Sequence, residues 1–279
     1  MKADLHIHSE FSDGSDSRTA ILRKAAACGI EVLAFTEHDT TEGWQRSIEL
    51  GKNYGVKVLP GVEISARDYR TGKKVHILGY DFKTSDAIDA LCRPIAEARH
   101  ENSLQKIELL QKLGYKITAE DVLPYTHKYI FKKHILRYLS DSGQDEKIFG
   151  HVYHHIFHGG GPGDFGIKYA AAADAVRAIT DCGGVAVLAH PGQQNNFDSL
   201  PELKAAGLWG IELMHPVHGA YWHKVVRESA KQYGLFCTGG SDYHGIYSEY
   251  YHPIGSNLAP EITAAELLKY NKTKITRLA

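Results

Sequence analysis

Nine residues spread along the chain have the types and positions that hold divalent metal ions. His6-Ile7-His8 sets two imidazoles two positions apart, so that in an extended strand both face one side. Asp13 follows in the loop Ser12-Asp13-Gly14, and His38 lies in Glu37-His38-Asp39. Glu63 and His76 come next, then His190 before Pro191, then Asp242 and His244 in Ser241-Asp242-Tyr243-His244. A single such histidine is ordinarily a hydrogen-bonded surface or core residue, but six independent occurrences near strand ends point to one metal site. Six imidazoles and three carboxylates without a thiolate suit Zn, Fe or Ni through nitrogen and admit Mn or Mg through oxygen. Nine ligands exceed one coordination shell, so two or three ions (Mn, Fe or Zn) are expected, with a carboxylate bridging two of them. Three divalent ions carry about +6 against the three carboxylate charges, a surplus that suits an anionic substrate. Ions about 3.5–4 Å apart form the usual clamp for phosphoester hydrolysis.

Seven short apolar runs must carry these residues: 2–8, 31–37, 56–63, 75–80, 184–190, 208–214 and 235–242. Helical patterns at 17–28, 41–54, 172–181 and 221–233 separate many of them, three ending at Gly29, Gly55 and Gly234. Alternating strands and helices predict an α/β fold with a parallel sheet or barrel, in which the C-terminal strand ends converge. Residues 85–169 break the rhythm with helical patterns at 87–113, 118–125 and 131–142, and read as an all-helical insertion. Pro94 is expected to break or kink the first of these near its start.

The bulk composition is that of an ordinary globular chain: 279 residues, 43% hydrophobic, 23% charged, formal net charge -1. Near-neutrality argues against a stable nucleic-acid partner. No apolar run approaches the ~20 residues of a membrane span, and the N-terminus lacks the apolar core of a signal peptide. Cys28, Cys92, Cys182 and Cys237 are widely spaced and read as reduced thiols, mostly in the core. A cytoplasmic protein is expected.

Six motifs, in this order, resemble the PHP (polymerase and histidinol phosphatase) family: Asp4-Leu5-His6-Ile7-His8-Ser9, Thr36-Glu37-His38-Asp39, Gly61-Val62-Glu63-Ile64, His76-Ile77-Leu78-Gly79-Tyr80, Leu188-Ala189-His190-Pro191 and Ser241-Asp242-Tyr243-His244. The resemblance implies a distorted (β/α)7 barrel, formed by residues 1–84 and 170–279, with a trinuclear metal centre. His6, His8, Glu63 and Asp242 would hold one ion. Glu63 would bridge to a second, bound also by His76 and His190. Asp13, His38 and His244 would hold the third. The insertion at 85–169 resembles the branch acting on nucleotides and small phosphorylated sugars, where it covers the active site and supplies phosphate contacts. Arg99 and His134 match such contacts, although Phe131-Lys132-Lys133-His134 stands where that branch has Arg-Pro-His.

The expected reaction is hydrolysis of a phosphoester in a small phosphorylated metabolite by a metal-bridging hydroxide, with Asp242 or His244 positioning a proton and His215 assisting the leaving group. Arg67 and His218 are further candidate substrate contacts. Hydrolysis of a sugar cyclic phosphate and cleavage at oligonucleotide ends are alternatives through the same site. A non-catalytic metal or phosphometabolite sensor is the alternative of another class. His151, His154, His155 and His158, at helical spacing, are read as partly solvated or in contact with substrate, and residues 159–163 as a hinge beside the site.

Overall fold

A computed structural model describes residues 1–277. Its strands are β1 (Ala3–Ile7), β2 (Val32–Phe35), β3 (Lys57–Leu59), β4 (Gly61–Arg67), β5 (Lys74–Tyr80), β6 (Ala170–Ala171), β7 (Val185–Leu188), β8 (Gly210–Met214) and β9 (Phe236–Gly239). Strands β1-β2-β3 form one parallel sheet, and β6-β4-β5-β7-β8-β9 form a second, mixed sheet. The architecture is mixed α/β.

Two features depart from the sequence reading. The run at 56–63 divides at Pro60, which has no N–H for a ladder, into β3 of the first sheet and β4 of the second. Gly61 makes that crossing possible, because a Cβ there would lie 2.4 Å from the Phe35 carbonyl oxygen. The sheet is also not all parallel: β5 runs antiparallel to both β4 and β7. The β4–β5 link is a turn, closed by Asp68, whose Oδ1 accepts the N–H groups of Arg70 at 2.9 Å and Thr71 at 3.1 Å. Where the two sheets meet there are two isolated parallel bridges, Ile7 with Tyr243 and His38 with Glu63.

The helices flank the sheets. They are α1 (Arg18–Ala27), α2 (Trp44–Lys52), α3 (Asp86–Lys112), α4 (Ala119–Val122), α5 (Lys132–Asp141), α6 (Ala172–Asp181), α7 (Pro191–Gln194), α8 (Leu200–Ala206), α9 (Ala220–Tyr233) and α10 (Glu261–Arg277). The α3 helix continues through Pro94 without ending, its neighbours Cys92, Ile95 and Ala96 being buried. Their packing offsets the lost main-chain bond. One apolar core fills the space between the second sheet and α6, α8 and α9. A separate one, including Ile107, Leu110, Ile135, Leu139, Val152 and Ile156, lies within 107–157. Each such side chain contributes about 1.5–3 kcal/mol when fully buried, so residues 107–157 have an apolar core of their own. All four cysteines are free, with Cys92 and Cys182 buried, Cys237 half-buried and Cys28 exposed. No described helix is long and apolar enough to cross a membrane.

Candidate metal centre

Strand alternation and the crossing at Gly61 bring one carboxylate into contact with five imidazoles. Glu63 Oε2 lies 3.2 Å from His6 Nε2, 3.2 Å from His8 Nε2 and 3.3 Å from His38 Nδ1. Glu63 Oε1 lies 2.8 Å from His76 Nδ1 and 2.9 Å from His190 Nε2. Asp242 Oδ1 stands 3.4 Å from His6 Nε2, 3.3 Å from His8 Nε2 and 3.6 Å from His244 Nδ1. Asp13 Oδ1 is 3.2 Å from His244 Nε2. All nine residues of the sequence reading therefore come together.

Their route to this point differs from the expectation for Glu63 and His76. Glu63 sits in the middle of β4, and His76 near the start of β5. Because β5 is antiparallel, its beginning lies at the end of the sheet where neighbouring strands finish. Main-chain hydrogen bonds lock the loop after β2 onto β4: Glu63 N–H to Glu37 O at 3.0 Å and Asp39 N–H to Glu63 O at 2.9 Å. Asp39, His190 and Asp242 all have positive φ, at 55°, 24° and 49°. Left-handed backbone in non-glycine residues costs of order 1–3 kcal/mol and concentrates at functional sites.

The centre is buried and its charges are strongly coupled. Burial opposes ionisation of Glu63, but His38, His6 and His76 outweigh it and hold the carboxyl well below the usual range. Burial likewise disfavours a charged His8, yet Asp242, Glu63 and Asp13 raise it to about 9. His38 goes the other way, well down, through burial and the nearby charges of His8 and His76. Several buried atoms lack a hydrogen-bond partner among the described residues: both ring nitrogens of His8, Asp13 Oδ1, His38 Nδ1 and His244 Nε2. Leaving such groups unpaired costs about 1–3 kcal/mol each. Four ligand atoms of His8, Asp13, His38 and His244 lie within 4.8 Å of one another, as do those of His6, Glu63 and His190, of His6, His8 and Asp242, and of His38, Glu63 and His76. An N/O donor set with inward-facing unpaired atoms fits divalent cations.

Sequence reasoning missed Glu212, a fully buried carboxylate on β8. It accepts from His6 Nδ1 at 2.9 Å and from the His190 N–H at 2.8 Å. The lone acidic residue in the apolar run Gly210-Ile211-Glu212-Leu213-Met214 was the available signal. The reading also missed Glu37 as an anchor for the loop bearing Asp13: it accepts the Ser9 N–H at 3.1 Å, the Ser12 hydroxyl at 2.6 Å and Arg18 Nη2 at 3.1 Å.

The remaining candidates divide. His215 reaches the centre, with Nε2 3.2 Å from Asp242 Oδ2 and Nδ1 accepting the Val217 N–H at 3.3 Å. His218 does not present a free nitrogen: Nδ1 donates to Leu213 O at 3.0 Å and Nε2 accepts the Gly192 N–H at 3.1 Å. Burial pushes it down to about 4, and its two hydrogen bonds brace the loop after β8. His134 is fully buried and accepts the Phe131 N–H on Nδ1 at 3.1 Å, its Nε2 has no hydrogen-bond partner among the described residues, and burial pushes it down to about 4. Arg99 is tied to Asp39 Oδ2 at 2.6 Å and Ser65 Oγ at 2.8 Å. Arg67 ends β4 on the same strand face as Glu63 and Ser65. His151, His154, His155 and His158 are exposed on and beside a π-helical turn, Val152–Ile156. Residues 159–163 form a hydrogen-bonded turn rather than a free hinge: Gly163 N–H donates to Ile156 O at 2.8 Å, and a Cβ on Gly161 would lie 2.5 Å from His155 O.

Beside Asp13 opens a cavity of about 200 Å³ lined by Lys74, Arg99, Lys106, Lys132 and Lys133, with Phe131, Phe157 and Phe165 in its walls. Asp13 and Asp164 are the acidic groups on its lining. Five cations crowded against aromatic walls repel one another: burial, then neighbouring Lys132 and Arg99, lower Lys106 to about 8, while burial, then Lys133 and Lys74, do the same to Lys132. Such a lining gives the cavity a positive potential.

A mixed α/β scaffold with a buried His/carboxylate cluster beside a cationic cavity defines a metal-dependent hydrolase of anionic esters. Residues 4–187 match the PHP domain family. The chain belongs to that family. It is 43% identical to a phosphoribosyl 1,2-cyclic phosphate 1,2-diphosphodiesterase of Eggerthella lenta, over 90% of this chain and 97% of that protein. It is 33% identical to a 3',5'-nucleoside bisphosphate phosphatase of Chromobacterium violaceum, over 86% of each. It is 28% identical to a 5'-3' exoribonuclease of Haemophilus influenzae, over 87% of this chain and 90% of that one. Among solved structures, a Bifidobacterium adolescentis protein described as a metal-dependent phosphoesterase superposes with a TM-score of 0.87 at 26% identity, covering 96% of both chains. The protein is a metal-dependent phosphoesterase.

Proposed function

We propose that the chain hydrolyses a phosphoester of a small sugar phosphate that carries a second anionic group, with a cyclic phosphate of a phosphorylated pentose as the favoured substrate. The observation that carries this reading is the cationic cavity opening directly beside Asp13. One phosphoryl group at the centre and another anion among Lys74, Lys106 and Lys132 would use both. The 43% identical relative, named for a phosphoribosyl cyclic phosphate, supports the same substrate class.

The nine residues His6, His8, Asp13, His38, Glu63, His76, His190, Asp242 and His244 act as ligands for two or three ions of Mn, Fe or Zn in this reading. Bound divalent ions supply an activated water and neutralise charge on the phosphate. Glu63, placed between five imidazoles, holds neighbouring ligands at one spacing. Glu212 fixes His6 as an Nε2 donor by accepting from Nδ1. His215, with Nδ1 accepting, carries its proton on Nε2 toward Asp242, and would donate a hydrogen bond there beside a departing oxygen. Arg99, held by Asp39, offers the cavity a fixed guanidinium.

The scaffold reading is part of the same proposal. Residues 1–84 and 170–277 would form a distorted (β/α)7 barrel, a reading that the bridges at Ile7–Tyr243 and His38–Glu63 support. Residues 85–169 form a helical domain over its mouth, supported by their own apolar core. The deciding experiment measures kcat/KM, with Mn²⁺ added, on three substrates: phosphoribosyl 1,2-cyclic phosphate, a 3',5'-nucleoside bisphosphate and a 5'-phosphorylated oligoribonucleotide. Highest kcat/KM on the cyclic sugar phosphate is expected. A clear preference for the oligoribonucleotide would sink the reading.

A further inference from the structure

Lys133 belongs to two neighbourhoods at once. Its ammonium lies 2.8 Å from Asp13 Oδ2, and the same side chain lines the cavity with Lys74, Lys106 and Lys132. The other oxygen of that carboxylate, Oδ1, faces His244 Nε2 at 3.2 Å, His8 Nδ1 at 3.8 Å and His38 Nε2 at 4.0 Å. Among the described residues, neither Asp13 Oδ1 nor His244 Nε2 has a hydrogen-bond partner. One carboxylate therefore carries a built-in cation on one oxygen and an open ligand position on the other.

We propose that Lys133 is an internal competitor for the divalent ion at Asp13, making that ion the weakest-held of the centre and coupling its loading to an anion in the adjoining cavity. This rests on the reading of Asp13, His38 and His244 as ligands.

The physics is charge repulsion over a short distance. An ammonium on Oδ2 and a divalent ion on Oδ1 share one carboxylate, and at an effective dielectric of ~20 such neighbours interact by well over the equivalent of a tenfold change in affinity. Asp13 is also the partner toward which the other lysines push Lys133, since Lys74 and Lys132 share its cavity. Asp164 is a second carboxylate on the lining, and Arg99 adds a further positive charge. An anion entering among the lysines gives the Lys133 ammonium an alternative partner and releases Asp13 for the ion. By linkage the ion then favours the anion to the same degree.

The test is calorimetric titration of the metal-free full chain with Mn²⁺, for wild type, Lys133→Met, Lys133→Gln and Lys133→Arg, each with and without inorganic phosphate. Wild type is expected to bind its last equivalent at least ~10-fold more weakly than the preceding one. Lys133→Met and Lys133→Gln should tighten that last equivalent at least ~10-fold and leave the earlier affinity unchanged, whereas Lys133→Arg should resemble wild type. Phosphate should tighten the last equivalent more in wild type than in Lys133→Met, because direct contact of phosphate with the ions is common to both. An unchanged or weaker last equivalent in both charge-removing variants overturns the proposal, as does an equal phosphate effect. Binding of at most one Mn²⁺ by all four proteins overturns the ligand reading itself.

Discussion

Glu212 Oε1 and His6 Nδ1 are 2.9 Å apart, both fully buried. The second Glu212 oxygen takes the His190 N–H at 2.8 Å, so one carboxylate orients two strands that contribute to the centre. Burial opposes its ionisation, but His6, His215 and His190 bring it below the usual range. Glu212→Gln keeps the volume and removes the charge. Mn²⁺ affinity should fall about 10–100-fold, the worth of a supporting contact to a metal ligand, with the fold retained by circular dichroism. Unchanged affinity would remove Glu212 from the site.

Glu63→Gln should do more damage, because its oxygens meet five imidazoles. Loss of bound metal and a fall in kcat of at least ~10²-fold are expected. Elemental analysis and turnover of a generic phosphoester check both. A folded Glu63→Gln protein with near-normal rate and metal content would contradict the ligand assignment.

Lys106→Ala and Lys132→Ala separate the cavity from the centre. Each should lower kcat/KM on the doubly anionic substrate by about 1.5–3 kcal/mol, the scale of a hydrogen bond to a charged group. Metal content should stay constant, and p-nitrophenyl phosphate turnover should barely change. Equal losses on both substrates would show that the lysines act through folding.

The same lysines predict a pH dependence. Burial, then neighbouring cations, lower both to about 8. They are ammonium ions below that value and lose charge above it. KM for the doubly anionic substrate should therefore rise as pH passes from about 7 to 9, while KM for p-nitrophenyl phosphate follows a different profile. Bound anion raises the lysine pKa values, so saturating substrate should shift the transition upward. Parallel profiles for the two substrates would exclude the cavity from binding.

Gly240→Ala tests how closely the chain must approach His6. A Cβ there would lie 2.3 Å from the His6 main-chain nitrogen and equally close to its Cβ. Overpacking of this kind costs about 1–3 kcal/mol, so Tm should fall and metal affinity with it. A variant of wild-type Tm would mean that β1 shifts without strain.

The nine clustered residues were legible in the sequence because strand periodicity is local: His6 and His8 two apart, and ligand types recurring beside apolar runs, need no knowledge of the fold. Helix boundaries at Ser17, Gly29 and Gly234 were legible for the same reason, since caps and left-handed glycines act within a turn. Strand direction was not, because it depends on partners far along the chain; the hairpin from β4 to β5 and the split at Pro60 emerge only when two sheets compete for one run. The surroundings of His218 and His134 were not legible, because a histidine's role follows from what its two nitrogens meet, and Leu213, Gly192 and Phe131 meet them only after folding. By itself the sequence determined the chemistry of the centre, the kinds of atoms available and their rough order. The tertiary structure alone decided which groups support them, Glu212 behind His6 and Lys133 on Asp13, because a buried charge is fixed by neighbours that sequence distance does not reveal.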